Sequence, residues 1–173
     1  MALQQAIETA IGEATGTPFG PARRGGAGGG CINDAWTLDD GARRYFVKLN
    51  DAASAGLFET EALALEELAG AEALRVPRPV ARGEHGGRAF LVLEHLDLAG
   101  RGGDAGFRRL GEGLAALHGV TAGAHGWHRD NYIGATAQPN PWTGDWAAFF
   151  REHRLRHQLR LAEQRGGGRR LID

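Results

Sequence analysis

Residues 25–50, GGAGGGCINDAWTLDDGARRYFVKLN, contain two stretches of alternating apolar and polar side chains on either side of an Asp39-Asp40-Gly41 turn. A period of two marks a strand, and an Asp-Gly step between two such runs marks a hairpin. A helix-period segment follows over 54–69, with Ser54 as N-cap and Phe58, Glu61, Ala62, Leu65 and Ala69 along one side. Then RVPRPVARGEHGGRAFLVLEHLDL supplies two prolines, a short strand, a His85-Gly86-Gly87 turn and an apolar strand over 89–93 that ends in Glu94. This order predicts a β-rich part of about five antiparallel strands with one inserted helix.

The pattern changes after the loop DLAGRGGDAG. Residues 105–118 place Phe107, Leu110, Leu114 and Leu117 at helical spacing, a tryptophan-rich loop follows, and residues 143–164 return to helical spacing. Before the strands, Leu3, Ala6, Ile7, Ala10 and Ile11 predict a short amphipathic helix over 2–14, ended near Gly16 and Pro18. The fold class is therefore α+β, with a β-rich part over 1–96 and an α-helical part over 97–173.

Composition narrows the function. The charges of 20 Lys and Arg against 21 Asp and Glu nearly cancel, so no basic field argues for nucleic acid. No stretch approaches the roughly 18 apolar residues that span a bilayer, and the N-terminus lacks a cationic leader, so the expectation is a cytoplasmic protein without a membrane partner. The single cysteine, Cys31, excludes an internal disulfide and a Cys-rich zinc site. Of the 20 basic Lys and Arg residues only Lys48 is a lysine. It shares a strand face with Phe46 and Asn50, opposite Tyr45, Val47 and Leu49.

A glycine-rich turn, a strand lysine, a helix glutamate and an apolar strand running into a linker make up, in that order, the nucleotide-holding half of a kinase-like fold. Glycines let backbone N–H groups approach phosphates, the ammonium pairs with the α/β-phosphates, and the glutamate holds the lysine. A compact point charge that meets both phosphate and carboxylate is poorly replaced by a planar guanidinium. Taken singly, each feature has another reading. GGAGGG matches no phosphate-loop pattern and serves equally as a plain turn, Lys48 as an edge-strand solubility residue, and Glu61 as a surface carboxylate.

The segments GGGCINDAW, YFVKLN, LFETEALALEEL, RVPRP, AFLVLEHLDL, LGEGLAALH and DNYIGATAQPN together resemble the fructosamine (ketosamine-3-) kinase family, relatives of aminoglycoside and choline kinases in the protein-kinase-like superfamily. The resemblance implies a kinase-like N-lobe, an incomplete helical C-lobe, and ATP-dependent phosphorylation of the 3-hydroxyl of ketosamines, glycated proteins included. By resemblance Lys48 pairs with phosphates and Glu61, rather than Glu59, is its partner. Glu94, His95 and Leu96 become the adenine-facing linker, and Gly28, Gly29, Gly30 and Cys31 the loop over the phosphates.

The family's catalytic His-Gly-Asp stretch and the metal-binding Asp after it have no counterpart here. His-Gly occurs at 85, 118 and 125, never followed by Asp. The His128-Arg129-Asp130 triplet is a decoy, because the metal-binding Asn of a protein-kinase catalytic loop would fall at Ala135. The expectation is thus a chain without catalytic or metal ligands of its own, inactive alone, with Mg²⁺ held by residues outside it. A noncatalytic nucleotide-binding module and a kinase for an aminoglycoside-like or choline-like molecule are the rival readings.

The other chemistry-bearing residues are less specific. Asp130 and Asn131 suit either substrate hydroxyls or turn-forming. Cys31 suits either a reactive thiol beside the glycine loop, able to join two chains, or a small buried hydrophobe. Trp127, Trp142 and Trp146 read as core anchors rather than a sugar platform, and His153 and His157 as a solvated helix face. The helices after residue 104 are expected to leave an apolar face open to solvent or self-association.

Overall fold

The computed structural model describes residues 1–26, 33–98 and 102–166. The Gly28–Cys31 stretch assigned to the phosphates lies outside the described residues. The chain divides into two compact units, Met1–Val120 and Thr121–Asp173.

The first unit opens with α1 (Leu3–Thr15), which ends where Gly16 turns left-handed at φ 67°. Five antiparallel strands follow, β1 (Arg23–Gly26), β2 (Asp34–Asp39), β3 (Arg44–Asp51), β4 (Pro79–His85) and β5 (Arg88–Glu94), in the spatial order β1-β2-β3-β5-β4. The β2–β3 turn is the predicted one. The Arg44 guanidinium and the Gly41 N–H hold the Asp39 carboxyl below the usual range, and the Arg43 and Ala42 N–H groups do the same for Asp40.

Between β3 and β4 runs α2 (Ala55–Gly70), entered through a short 3₁₀ turn over Ala52–Ser54. Ser54 takes the predicted cap position but makes no capping side-chain hydrogen bond, because the 3₁₀ turn gives it φ −93° and ψ 6° instead of the extended backbone that aims a cap.

Each face of the sheet carries one core. Ile7 and Ile11 of α1 pack with Trp36, Leu38, Val47, Leu49, Phe90 and Val92. Phe58 and Ala62 of α2 pack with Ala89, Leu91 and Leu93. β5 is thus buried on both faces, which is why its sequence is a continuous apolar run rather than an alternating one.

The sheet is followed by α3 (Gly103–His118), which has no buried residue; Phe107, Leu110 and Leu114 are exposed, the open apolar face expected from the sequence. At Gly113 a Cβ would stand 2.4 Å from a Leu74 methyl, so glycine permits the close approach of this helix to the segment after α2.

The second unit differs from expectation in four places. The tryptophan-rich loop contains a hairpin of β6 (Asn131–Ile133) and β7 (Thr136–Gln138), too short to leave a periodic signal. The long helix forms as α4 (Trp146–Phe150), a π-helical stretch over Arg151–Arg156, and α5 (His157–Gln164). Trp142 and Trp146 are more than half exposed, not core anchors. Trp146 instead stacks at the surface with His125, Phe149 and Phe150. His153 and His157 are half-buried rather than solvated, the first against the Phe149 ring and the second bonded at 2.8 Å to the Ala137 carbonyl oxygen. Among the described residues no helix is long and apolar enough to cross a membrane.

Phe58 is the largest fully buried side chain and fastens α2 to the sheet. Phe58→Ala is expected to cost about 3 to 5 kcal/mol, measured by urea unfolding.

Candidate functional site

Strand alternation puts Lys48 on the α2 side of the sheet, between Ala35 of β2 and Leu91 of β5. On α2, Glu61 stands beside Ala62, whose burial in the core fixes the helix rotation. The two side chains meet, with Lys48 Nζ donating to Glu61 Oε1 at 2.7 Å and Oε2 at 2.5 Å. An ammonium has three donors, so this forked contact leaves one for another acceptor. Glu59 is not bonded to Lys48, and its carboxylate stands 3.8 Å from Arg82. The pairing with Glu61 rather than Glu59 is therefore the one present.

Two residues back along the same face of β3 is Phe46, roughly 7 Å away by strand geometry. Phe46, Thr37 and Leu93 form the floor of a cavity of about 630 Å³. Its walls are Pro77 and the chain leaving β5, where His95 and Leu96 both line it, and Gly26 stands at its rim. The neighbouring Gly25 has to be small, since a Cβ there would come within 2.5 Å of Thr37 Oγ1. Glu94, the first linker residue, is tied away from the floor. Its carboxylate pairs with Arg75, and its N–H donates to the Arg78 carbonyl at 2.8 Å.

Lys48, Glu61, Glu94, His95 and Leu96 thus fall within one unit, Lys48 and Glu61 on the α2 side of the sheet and Glu94, His95 and Leu96 at the lining of the cavity. Thr37 and Pro77 escaped the sequence reading, which put Phe46 on the Lys48 face without giving it a part in the site. The place of Phe46 two residues before the lone lysine was a usable signal; Pro77 left none, because its part depends on how the segment between α2 and β4 folds back.

Asp130 and Asn131 lie in the second unit, inside its polar network. Asp130 Oδ1 accepts from the Asn140 N–H at 2.8 Å, and Asn131 Oδ1 accepts from Gln138 Nε2 and Asn140 Nδ2, each at 2.8 Å. Arg154 donates to Asn140 Oδ1 at 2.5 Å, and burial lowers the pKa of its guanidinium. These contacts make Asp130 and Asn131 braces of the β6–β7 hairpin. Among the described residues no three His, Cys, Asp or Glu side chains gather as a metal site would require.

An antiparallel sheet whose strand lysine is gripped by a helix glutamate, with an apolar-floored cavity running into a linker, is the N-lobe architecture of kinase-like proteins. The chain belongs to the fructosamine kinase family, whose model matches residues 3–173. It is 49% identical over 164 residues to a probable ketoamine kinase of Synechocystis, covering 94% of this chain and 55% of that protein. It is 40% identical over 146 residues to the chloroplastic protein-ribulosamine 3-kinase of Arabidopsis thaliana, covering 83% and 44%. Among solved structures, that of a Haemophilus somnus protein assigned as a fructosamine-3-kinase superposes with a TM-score of 0.84 at 29% identity, covering 92% of this chain and 54% of that one. The chain spans about half the length of the curated relatives it matches.

Both members of the Lys48–Glu61 pair keep 21% and 28% of their side-chain surface exposed, so the cost of desolvating them offsets much of their attraction. Glu61→Ala leaves the part-buried Lys48 ammonium unpaired and should lower the unfolding free energy by about 1 to 3 kcal/mol, measured by urea titration. A larger loss would mean that the pair is chiefly a structural tie.

Proposed function

We propose that this chain is the nucleotide-holding part of a kinase that uses ATP to phosphorylate the 3-hydroxyl of ketosamines, the sugar amines formed on glycated amines and proteins. The observation that carries the reading is the Lys48–Glu61 pair at one end of a sheet face whose other end is the cavity floored by Phe46. An adenine fits that cavity in chemistry. Phe46 and Leu93 offer apolar contact, and the backbone at His95 and Leu96 offers polar groups to the base edge. The third Lys48 donor then meets phosphate oxygens, with Glu61 keeping the ammonium in place. ATP supplies the phosphoryl group that is transferred. The substrate class is supported by the names of the relatives, ketoamine and ribulosamine kinases.

The described residues do not fit Mg²⁺, and the His-Gly-Asp stretch of the family is not among the 173 residues. We assign the metal and the activation of the hydroxyl to residues outside this sequence. That same observation favours a second reading, a nucleotide-binding module without turnover.

Two results are expected. The 173-residue chain, given ATP, Mg²⁺ and a small fructosamine, should form no phosphorylated product above a Lys48→Ala control by mass spectrometry. In a form spanning the relatives' full length, Lys48→Arg should keep the fold and lower kcat/KM on a fructosamine at least tenfold, about 1.4 kcal/mol. Unchanged kinetics would remove Lys48 from the mechanism. Preferred turnover of an aminoglycoside or of choline would move the substrate class.

A further inference from the structure

The face that carries Phe46 and Lys48 continues one step further. In the β2–β3 pairing Thr37 stands opposite Phe46 and Ala35 opposite Lys48. By the same alternation Asn33 and Asn50 form the next pair on that face, and their side chains meet, Asn50 Nδ2 donating to Asn33 Oδ1 at 2.8 Å.

The direction of that bond is decided by chemistry. The backbone N–H of Asp51 can only donate, and it donates to Asn50 at 2.8 Å, so the receiving atom is the Asn50 oxygen. The other end of the Asn50 amide is therefore NH₂, and the atom of Asn33 that meets it is an oxygen. Asn33 is left with its NH₂ group turned away from Asn50, a pure donor fixed in orientation.

The scaffold beneath is braced. Arg88 donates to the Asn50 carbonyl at 3.1 Å and to Asp34 at 2.9 Å, tying the ends of β2 and β3 to β5.

We infer that Asn33 is a nucleotide-binding residue whose side-chain NH₂ donates to the phosphates of the bound nucleotide beyond Lys48. This rests on the nucleotide reading above. With the base over Phe46 and the first phosphates at Lys48, a chain continuing along β3 reaches the Asn33–Asn50 step next. The pair is half-buried and polar, at the end of the face opposite the base cavity. A neutral donor there binds phosphate oxygens, while Lys48 supplies the positive charge.

The test measures binding of ATP and of adenosine by ligand-observed NMR titration to the chain and to its Asn33→Asp, Asn33→Ala and Lys48→Ala variants. Asn33→Asp keeps the oxygen that Asn50 bonds but cannot donate. It should weaken ATP at least tenfold and leave adenosine within twofold. Asn33→Ala, which adds no charge, should weaken ATP three- to tenfold. The inference is overturned if Asn33→Asp binds ATP as the parent does while Lys48→Ala does not. It is equally overturned if Asn33→Ala keeps full ATP affinity, because repulsion alone would then explain the aspartate, or if both variants lose adenosine and ATP alike, which is collapse of the hairpin. Should the parent chain bind neither ligand, or Lys48→Ala change nothing, the nucleotide reading itself fails and the Asn33 role with it.

Discussion

Strand β3 lies between two cores, and the arrangement of the first unit depends on the strictness with which its side chains alternate. Val47 and Leu49 enter the core shared with α1, while Phe46, Lys48 and Asn50 face α2. A slip of one residue would send Lys48 into the apolar side and bring Val47 to Glu61. Such a register is expensive to violate, since burying an unpaired ammonium costs far more than any compensating contact there could return. Burial of Val47 and Leu49 therefore does more to place Lys48 than the ion pair does.

The second constraint is the docking of α2. A part-buried pair between a strand and a helix is not what holds the helix, because the cost of desolvating its members offsets much of their attraction. Phe58 and Ala62, buried against Ala89, Leu91 and Leu93, set the rotation that turns Glu61 inward and leaves Glu59 toward Arg82. Packing thus supplies the energy and electrostatics the direction.

The two units contrast. In the first, both faces of the sheet are covered, and Trp36, Leu38, Leu49, Phe90 and Leu91 of the strands are buried. In the second, Tyr132, Ile133, Trp142, Trp146, Phe150 and Leu155 are all exposed. Hydrogen bonds link Asp130, Asn131, Gln138, Asn140 and Arg154 there, beside the buried Phe149. Polar networks of this kind orient side chains one after another, but they bury little apolar area.

Local pattern was enough for the order of strands and helices in the first unit, for the β2–β3 turn, and for Lys48 and Glu61 as partners through family resemblance. The element order and the turn are legible because they rest on periodicity and on the steric demands of an Asp-Gly step, both of which act within a few residues, whereas the partnership was carried by the resemblance alone. The neighbours of the pair beyond its own strand were not legible. Thr37, Phe46 and Pro77 meet around one cavity only because β2, β3, β5 and the segment before β4 converge, and Asn33 faces Asn50 only because the hairpin register aligns them. The π-helical break at Arg151–Arg156 and the short β6–β7 hairpin likewise lie below the length at which a pattern shows. The sequence by itself determined which residues alternate and which carry charge. Tertiary structure decided which of them share a cavity, because contacts between residues far apart in the chain are set by sheet register and helix docking, neither of which any single segment encodes.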